Sequence, residues 1–119
     1  MFFPDGFTDS TGTRVGWLEK GHTFEKRDSD PSFVKKLIKL YRNRVNPTRG
    51  YHRCEFCLDP EFGLPVTVDN MTIKLGGAEI HVLAQDNKVF AAPDLIYHYV
   101  VEHSYAPPKE FIDAVLAQE

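Results

Sequence analysis

Apolar side chains recur with helical spacing in the segment that follows residue 30. The stretch Asp28-Ser29-Asp30-Pro31 is a strong helix start, because Ser29 or Asp30 can cap the first amides and Pro31 suits the first turn. Asn46-Pro47 supplies the stop. The pattern predicts an amphipathic helix over residues 31–44, with a buried apolar stripe and a basic outer face. The apolar positions are Phe33, Val34, Leu37, Ile38, Tyr41 and Val45.

Short runs of β-type residues follow in the second half of the chain. They cover residues 66–68, 71–75, 78–84 and 88–91. Gly76-Gly77 is a two-residue hairpin signal, and Gln85-Asp86-Asn87 is a second turn. The spacing predicts an antiparallel meander of three or four strands. Another short strand is expected over residues 15–18, before a polar loop.

Two further amphipathic segments close the chain. Pro93-Asp94 opens a predicted helix that runs to about Ser104, and Pro107-Pro108 separates it from a last helix over residues 108–118. The expected fold is therefore α+β, with a small antiparallel meander packed against about three helices. At 119 residues, the chain has the size of a single domain spanning residues 1–119.

The composition is that of an ordinary globular protein, with 42% hydrophobic and 26% charged residues. No apolar run approaches the length of a membrane-spanning helix, and the N-terminus lacks the basic start and apolar stretch of a signal peptide. We therefore expect no membrane partner. With only two cysteines, the chain is not a disulfide-dense scaffold, and we expect a reducing, cytoplasmic location.

Charge is distributed unevenly along the chain. Residues 31–53 hold seven basic residues and no acidic one, whereas residues 54–119 hold eleven acidic and three basic residues. The net charge of −3 argues against a protein that binds nucleic acid by bulk charge alone. The basic residues are Lys35, Lys36, Lys39, Arg42, Arg44, Arg49 and Arg53.

Two pairs of metal-ligand residues stand out. Cys54 and Cys57 have the spacing of a zinc knuckle, and His98 and His103 lie near the end of a predicted helix. Residues five apart on an ideal helix are rotated by about 140°, so the last turn must loosen for both rings to reach one ion. Together the four side chains predict a closed, structural Cys2His2 zinc site that staples the fold. Forty residues separate Cys57 from His98, far more than in compact zinc fingers.

Other interpretations of these residues stay open. The cysteines can be a redox pair or thiols without a chemical role, although the turn chemistry after Cys57 disfavours the redox pair. The protein can also be a metal-dependent hydrolase with a vacant ligand position and His52 or Glu102 as the base. No nucleotide-binding loop, nucleophile elbow or His-Glu-x-x-His motif occurs, so an enzyme is the less favoured class. His22 lies in a loop, where a ligand or catalytic role is open but has no support from the sequence. His81 is expected to be a surface or half-buried residue of a strand.

The basic segment suggests a binding surface. The favoured function is a protein–protein interaction module, of the adaptor or immunity type, that contacts its partner through Lys35, Lys36 and Lys39 or through the acidic C-terminal half. A zinc-finger-like nucleic-acid-binding module using segment 35–53 is the alternative, because arginines near aromatic residues can contact phosphates and stack on bases.

Three stretches carry a family resemblance. They are G-W-L at 16–18, N-P-T-R-G-Y-H-R-C-E-F-C at 46–57 and A-P-D-L-I-Y-H-Y-V-V-E-H at 92–103. With these motifs the chain resembles a family of small uncharacterised bacterial proteins over most of its length. The resemblance implies one compact domain and a bacterial source, and it implies no catalytic residues.

Overall fold

The computed structural model describes residues 3–10, 12–19, 21–43, 54, 56, 64–68 and 71–118. Within these ranges the chain forms an α+β fold, as the sequence predicts. The strands are β1 (Thr13–Arg14), β2 (Leu64–Val68), β3 (Met71–Leu75), β4 (Glu79–Leu83) and β5 (Val89–Pro93). The α-helices are α1 (Pro31–Lys39), α2 (Ile96–His103) and α3 (Lys109–Leu116), and short 3-10 turns occupy Leu40–Asn43 and Gln85–Asn87.

Helix α1 begins where its capping residues predict. The Asp30 carboxylate accepts the Ser32 N–H at 2.8 Å, which satisfies one of the amides left over at a helix start. The apolar stripe of Phe33, Leu37 and Ile38 is buried, as expected. The predicted helix over 31–44 is shorter as an α-helix, since a 3-10 turn replaces it from Leu40 to Asn43.

The strands do not form the single antiparallel meander that the sequence predicts. Strands β4 and β5 are antiparallel and joined at the expected turn, but β1 adds to the other edge of β5 in parallel, giving the order β1-β5-β4. Strands β2 and β3 form a separate antiparallel pair. The predicted hairpin at Gly76-Gly77 is wrong, because the Gly76 N–H donates at 2.6 Å to the fully buried Asp94 carboxylate and the chain passes into the other sheet.

The first strand lies two residues earlier than residues 15–18. Gly16 ends it, because its φ of +80° turns the chain and its N–H donates to Asp5 Oδ1 at 3.0 Å. A Cβ at this position would lie 2.8 Å from Ile96 Cδ1, so only glycine fits against α2.

One cluster of buried side chains joins the three helices to the sheet. Its members include Val15, Phe33, Leu37, Ile80, Val82, Phe90, Ile96, Tyr105, Phe111 and Val115. The helices of the described residues are all too short or too polar to cross a membrane.

A charged cluster lies at the β1 end of the sheet. The Arg14 guanidinium lies 3.0 Å from an Asp9 carboxylate oxygen and 3.4 Å from Glu79 Oε1. The same group covers the rings of Phe3 and Trp17, at 4.6 and 5.1 Å from their centroids. This Arg14 cluster ties the N-terminal segment to β4.

Candidate metal centre

Cys54, His98 and His103 come together at one point of the fold. Each contributes one ligand atom, and these three atoms all lie within 4.8 Å of one another. Cys54 is fully buried, whereas both histidines are half-buried on α2. The fold therefore brings two parts of the chain, 49 residues apart, to a position where they could hold a metal ion together.

The thiol contacts the His103 ring, which in turn packs against the His98 ring. Cys54 Sγ lies 3.2 Å from His103 Nε2, and the centroids of the two imidazoles are 5.0 Å apart with the rings nearly perpendicular. His103 is the last residue of α2, and Ser104 follows in the left-handed conformation with φ of 55°. The helix end expected beside His103 is confirmed.

Aromatic packing surrounds this three-residue cluster, which we call the Cys54 cluster. The Phe56 ring lies 5.7 Å from the His103 ring, 6.0 Å from Tyr99 and 5.3 Å from Phe24, measured between centroids. Phe24 also packs edge-on against Tyr105. Phe56 therefore packs among the aromatic side chains beside α2.

The segment before α1 covers the end of α2. The Arg27 N–H donates to the Ser104 carbonyl at 2.8 Å, and the Ala106 N–H donates to the Glu25 carbonyl at 2.9 Å. Sequence reasoning missed this support, including Phe24. The only sequence signal was a phenylalanine in a polar loop, since its partners lie far away in the chain.

Both imidazoles are disposed toward their neutral form. Burial lowers the pKa of His98, the charge of His103 lowers it further, and Glu102 partly opposes the shift. Burial also lowers the pKa of His103, with Glu102 opposing and Lys26 reinforcing the change. Since only the neutral imidazole can ligate a cation, these surroundings favour the metal-binding form.

The donor set defines the chemistry available. One thiol sulfur and two imidazole nitrogens suit a borderline-soft transition metal ion, and carboxylate-preferring cations such as Mg²⁺ fit them poorly. Within the described ranges, Cys54, His98 and His103 are the group of potential ligands whose atoms lie close enough together to hold a metal ion.

The other predicted site residues have different outcomes. Cys57, His52, Arg44, Arg49 and Arg53 lie outside the described residues, as does the side chain of Arg42. His81 projects from β4 and lies 3.4 Å from Glu79, among the groups of the Arg14 cluster.

The lysines of α1 divide into two kinds. Lys35 and Lys39 are exposed on the outer face of the helix. Lys36 is half-buried, and its ammonium donates to the Gln118 carbonyl beyond the end of α3. Lys36 therefore supports the packing of α1 on the C-terminal helix.

Comparison with known proteins returns a family of unknown function. No curated protein and no solved structure matches this chain. A family model described as "Domain of unknown function (DUF7919)" matches residues 4–116, a span that includes Cys54, His98 and His103. This agrees with the resemblance to an uncharacterised family. The chain therefore belongs to the DUF7919 family.

Proposed function

We propose that this protein is a zinc-stabilised binding module. In this proposal Cys54, Cys57, His98 and His103 hold one zinc ion, which joins the segment around Cys54 to α2. The observation that supports it is the convergence of Cys54 Sγ with two imidazole nitrogens within 4.8 Å. Cys57 follows three residues after Cys54, the spacing with which a knuckle aims two sulfurs at one ion.

The proposed role of zinc is structural. Four protein ligands leave no position for water or substrate, so the ion contributes to folding and not to a reaction. The burial of Cys54 and the aromatic packing of Phe56 support a role in the core. Retaining thiol ligands requires a reducing compartment, so we place the protein in the cytoplasm of a bacterial cell.

Metal analysis of the purified protein tests the site. We expect one zinc per chain, loss of that zinc in Cys54→Ser and His98→Ala, and retention in His81→Ala, whose histidine lies outside the cluster. X-ray absorption at the zinc edge would then count the ligands. Two sulfur and two nitrogen ligands are expected, and an unchanged zinc content in Cys54→Ser would contradict the proposal.

A metal-dependent hydrolase is the second candidate. It is favoured by the fact that the described cluster contributes three ligands, the number found in catalytic zinc sites, and by Glu102, an exposed carboxylate adjacent to His103. The same absorption measurement separates the two candidates. One sulfur ligand and three nitrogen or oxygen ligands would indicate this alternative.

We further propose that the outer face of α1 contacts an acidic surface of a partner protein. The support is the pair of exposed lysines, Lys35 and Lys39, on a helix without acidic residues. Complementary charge steers such encounters and sets their salt dependence.

Charge reversal tests this surface. The parent protein should capture a protein partner even after nuclease treatment. A Lys35→Glu/Lys39→Glu variant should fail to capture it, whereas the control Lys109→Glu, on α3, should still do so. Binding of the protein to labelled DNA and RNA oligonucleotides of about 20 nucleotides should be measured in parallel across a series of salt concentrations. Nuclease-sensitive capture together with a steep salt dependence would favour the nucleic-acid alternative for segment 35–53.

A further inference from the structure

A groove runs between α1 and α2, with a volume of about 720 Å³. This volume is typical of small-molecule sites. Helix α1 contributes Val34 and Ile38, and α2 contributes Tyr97, Val100 and Val101. Val101 is 45% exposed and Val34 and Tyr97 are half-buried, whereas Ile38 and Val100 are buried. The groove therefore has an apolar floor that opens to solvent.

The rim of the groove carries one cation. Lys35 lies on it, and within the described ranges no ion pair or hydrogen bond engages its ammonium. The hydroxyls of Ser29 and Ser32, on the same rim, also make no hydrogen bond within those ranges. An ammonium and two hydroxyl donors beside an apolar surface complement a carboxylate attached to an apolar body.

The rim also limits the charge of a ligand. Asp28 belongs to it, and its carboxylate opposes groups with several negative charges. A phosphate ester or a nucleic acid strand would meet this repulsion along with the attraction of Lys35. The groove therefore disfavours a ligand with several negative charges more strongly than a ligand with one.

The two helices that form the groove are held in a defined position. Tyr41, just after α1, donates its hydroxyl hydrogen to the Asp94 carbonyl and accepts the Tyr97 N–H at 3.1 Å. The rings of Tyr41 and Tyr97 also pack edge to face, 6.4 Å apart. These contacts fix the first turn of α2 against α1, so the groove exists before a ligand enters.

We propose that this groove binds a small amphipathic organic acid with one carboxylate. The carboxylate meets Lys35 and the serine hydroxyls, and the apolar body lies on Val34, Val100 and Val101. The inference goes beyond the proposed function, since it depends on neither the partner protein nor the identity of the metal.

Calorimetric titration of the metal-loaded protein with octanoate and decanoate tests the proposal. Decanoate should bind one site per chain and bind about fifteenfold more tightly than octanoate if both extra methylenes enter the groove. Decylammonium, the cationic counterpart, should bind more weakly than decanoate. Amide chemical-shift changes should concentrate on α1 and α2.

Two variants on exposed positions address the groove directly. Lys35→Glu should weaken decanoate binding by about tenfold or more, since a charge-assisted hydrogen bond is replaced by repulsion. Val101→Asp should weaken it similarly. The matched controls are Lys39→Glu, on the same helix but outside the groove, and Leu116→Asp, whose leucine on α3 is 39% exposed.

Several results would overturn the proposal. They are failure of decanoate to bind, equal weakening in a groove variant and its control, or tighter binding of decylammonium than of decanoate. Shifts of the groove resonances with protein concentration alone, unaffected by decanoate, would show instead that a second copy of the chain occupies the groove.

Discussion

The Arg14 cluster and the Cys54 cluster both join distant parts of the chain, but their chemistry differs. In the first, a guanidinium meets the carboxylates of Asp9 and Glu79 and two aromatic faces, so opposite charges lie together. In the second, a thiol meets two imidazoles whose pKa values are lowered by burial. All three side chains can donate electron pairs, so together they could hold a metal ion.

This difference separates a contact from a candidate site. Opposite charges that pair within the chain explain their own proximity, because each group stabilises the other. The Cys54 cluster contains no such pair of opposite charges, and its three ligand atoms could hold a metal ion. The stability of the two regions should therefore respond differently to metal and to substitution.

Metal removal should have the largest effect. With free zinc about a thousandfold above its Kd, binding to the native state should add about 4 kcal/mol to the free energy of unfolding. Chemical denaturation with buffered zinc and with excess chelator would measure this difference. Arg14→Met should show the same zinc dependence as the parent protein, and equal stability of the parent with and without zinc would contradict the comparison.

Substitution of Arg14, the cation of the Arg14 cluster, should have the second largest effect on stability. Arg14→Met leaves two carboxylates near each other, and breaking a largely buried ion pair typically costs about 3 kcal/mol. This loss should be the same in zinc and in chelator.

Lys88→Met is the matched control for Arg14→Met. Its ammonium lies 3.0 Å from the exposed Glu110 carboxylate, and such surface pairs contribute about 1 kcal/mol or less. A larger loss for Lys88→Met than for Arg14→Met would show that burial of the Arg14 cluster is unimportant.

Tyr41→Phe should lower the stability of the fold by less than Arg14→Met, and it should affect the Cys54 cluster but not the Arg14 cluster. It removes the hydrogen bonds to the Asp94 carbonyl and from the Tyr97 N–H, at a cost of about 2 kcal/mol. Because α2 carries both histidines, zinc affinity should also fall. Denaturation and competitive zinc titration would measure the two effects.

Tyr97→Phe is the corresponding control, because the Tyr97 hydroxyl makes no hydrogen bond within the described ranges. Its stability should lie within about 0.5 kcal/mol of the parent value. If Tyr97→Phe lost as much zinc affinity as Tyr41→Phe, the Tyr41 hydroxyl would not be what positions α2 and the Cys54 cluster.

The agreement between sequence and structure is best where the determining contacts are local. The Asp30 cap and the stripe of Phe33, Leu37 and Ile38 predict α1 because a helix turn involves neighbours three and four residues away. The turn between β4 and β5 is likewise local. The end of α2 beside His103 follows from signals within a few residues of it.

The errors occurred where a distant group changed a local preference. Gly76-Gly77 is a good hairpin signal, yet the Asp94 carboxylate binds the Gly76 amide from 18 residues away. The parallel pairing of β1 with β5 joins Thr13 to Phe90, and no short-range pattern encodes that choice of partner. A buried carboxylate such as that of Asp94 requires hydrogen-bond donors, and the Gly76 N–H that serves it lies close in space but distant in sequence.

By itself the sequence determined the α+β class, the position of α1 and the identity of the cysteine and histidine side chains available as ligands. Only the tertiary structure decided that Cys54 lies against His103, that Arg14 meets Glu79, and that α1 and α2 leave an apolar groove beside Lys35. The reason is physical. Caps, turns and helix periodicity depend on neighbours along the chain, whereas these contacts depend on which apolar surfaces the whole chain buries together.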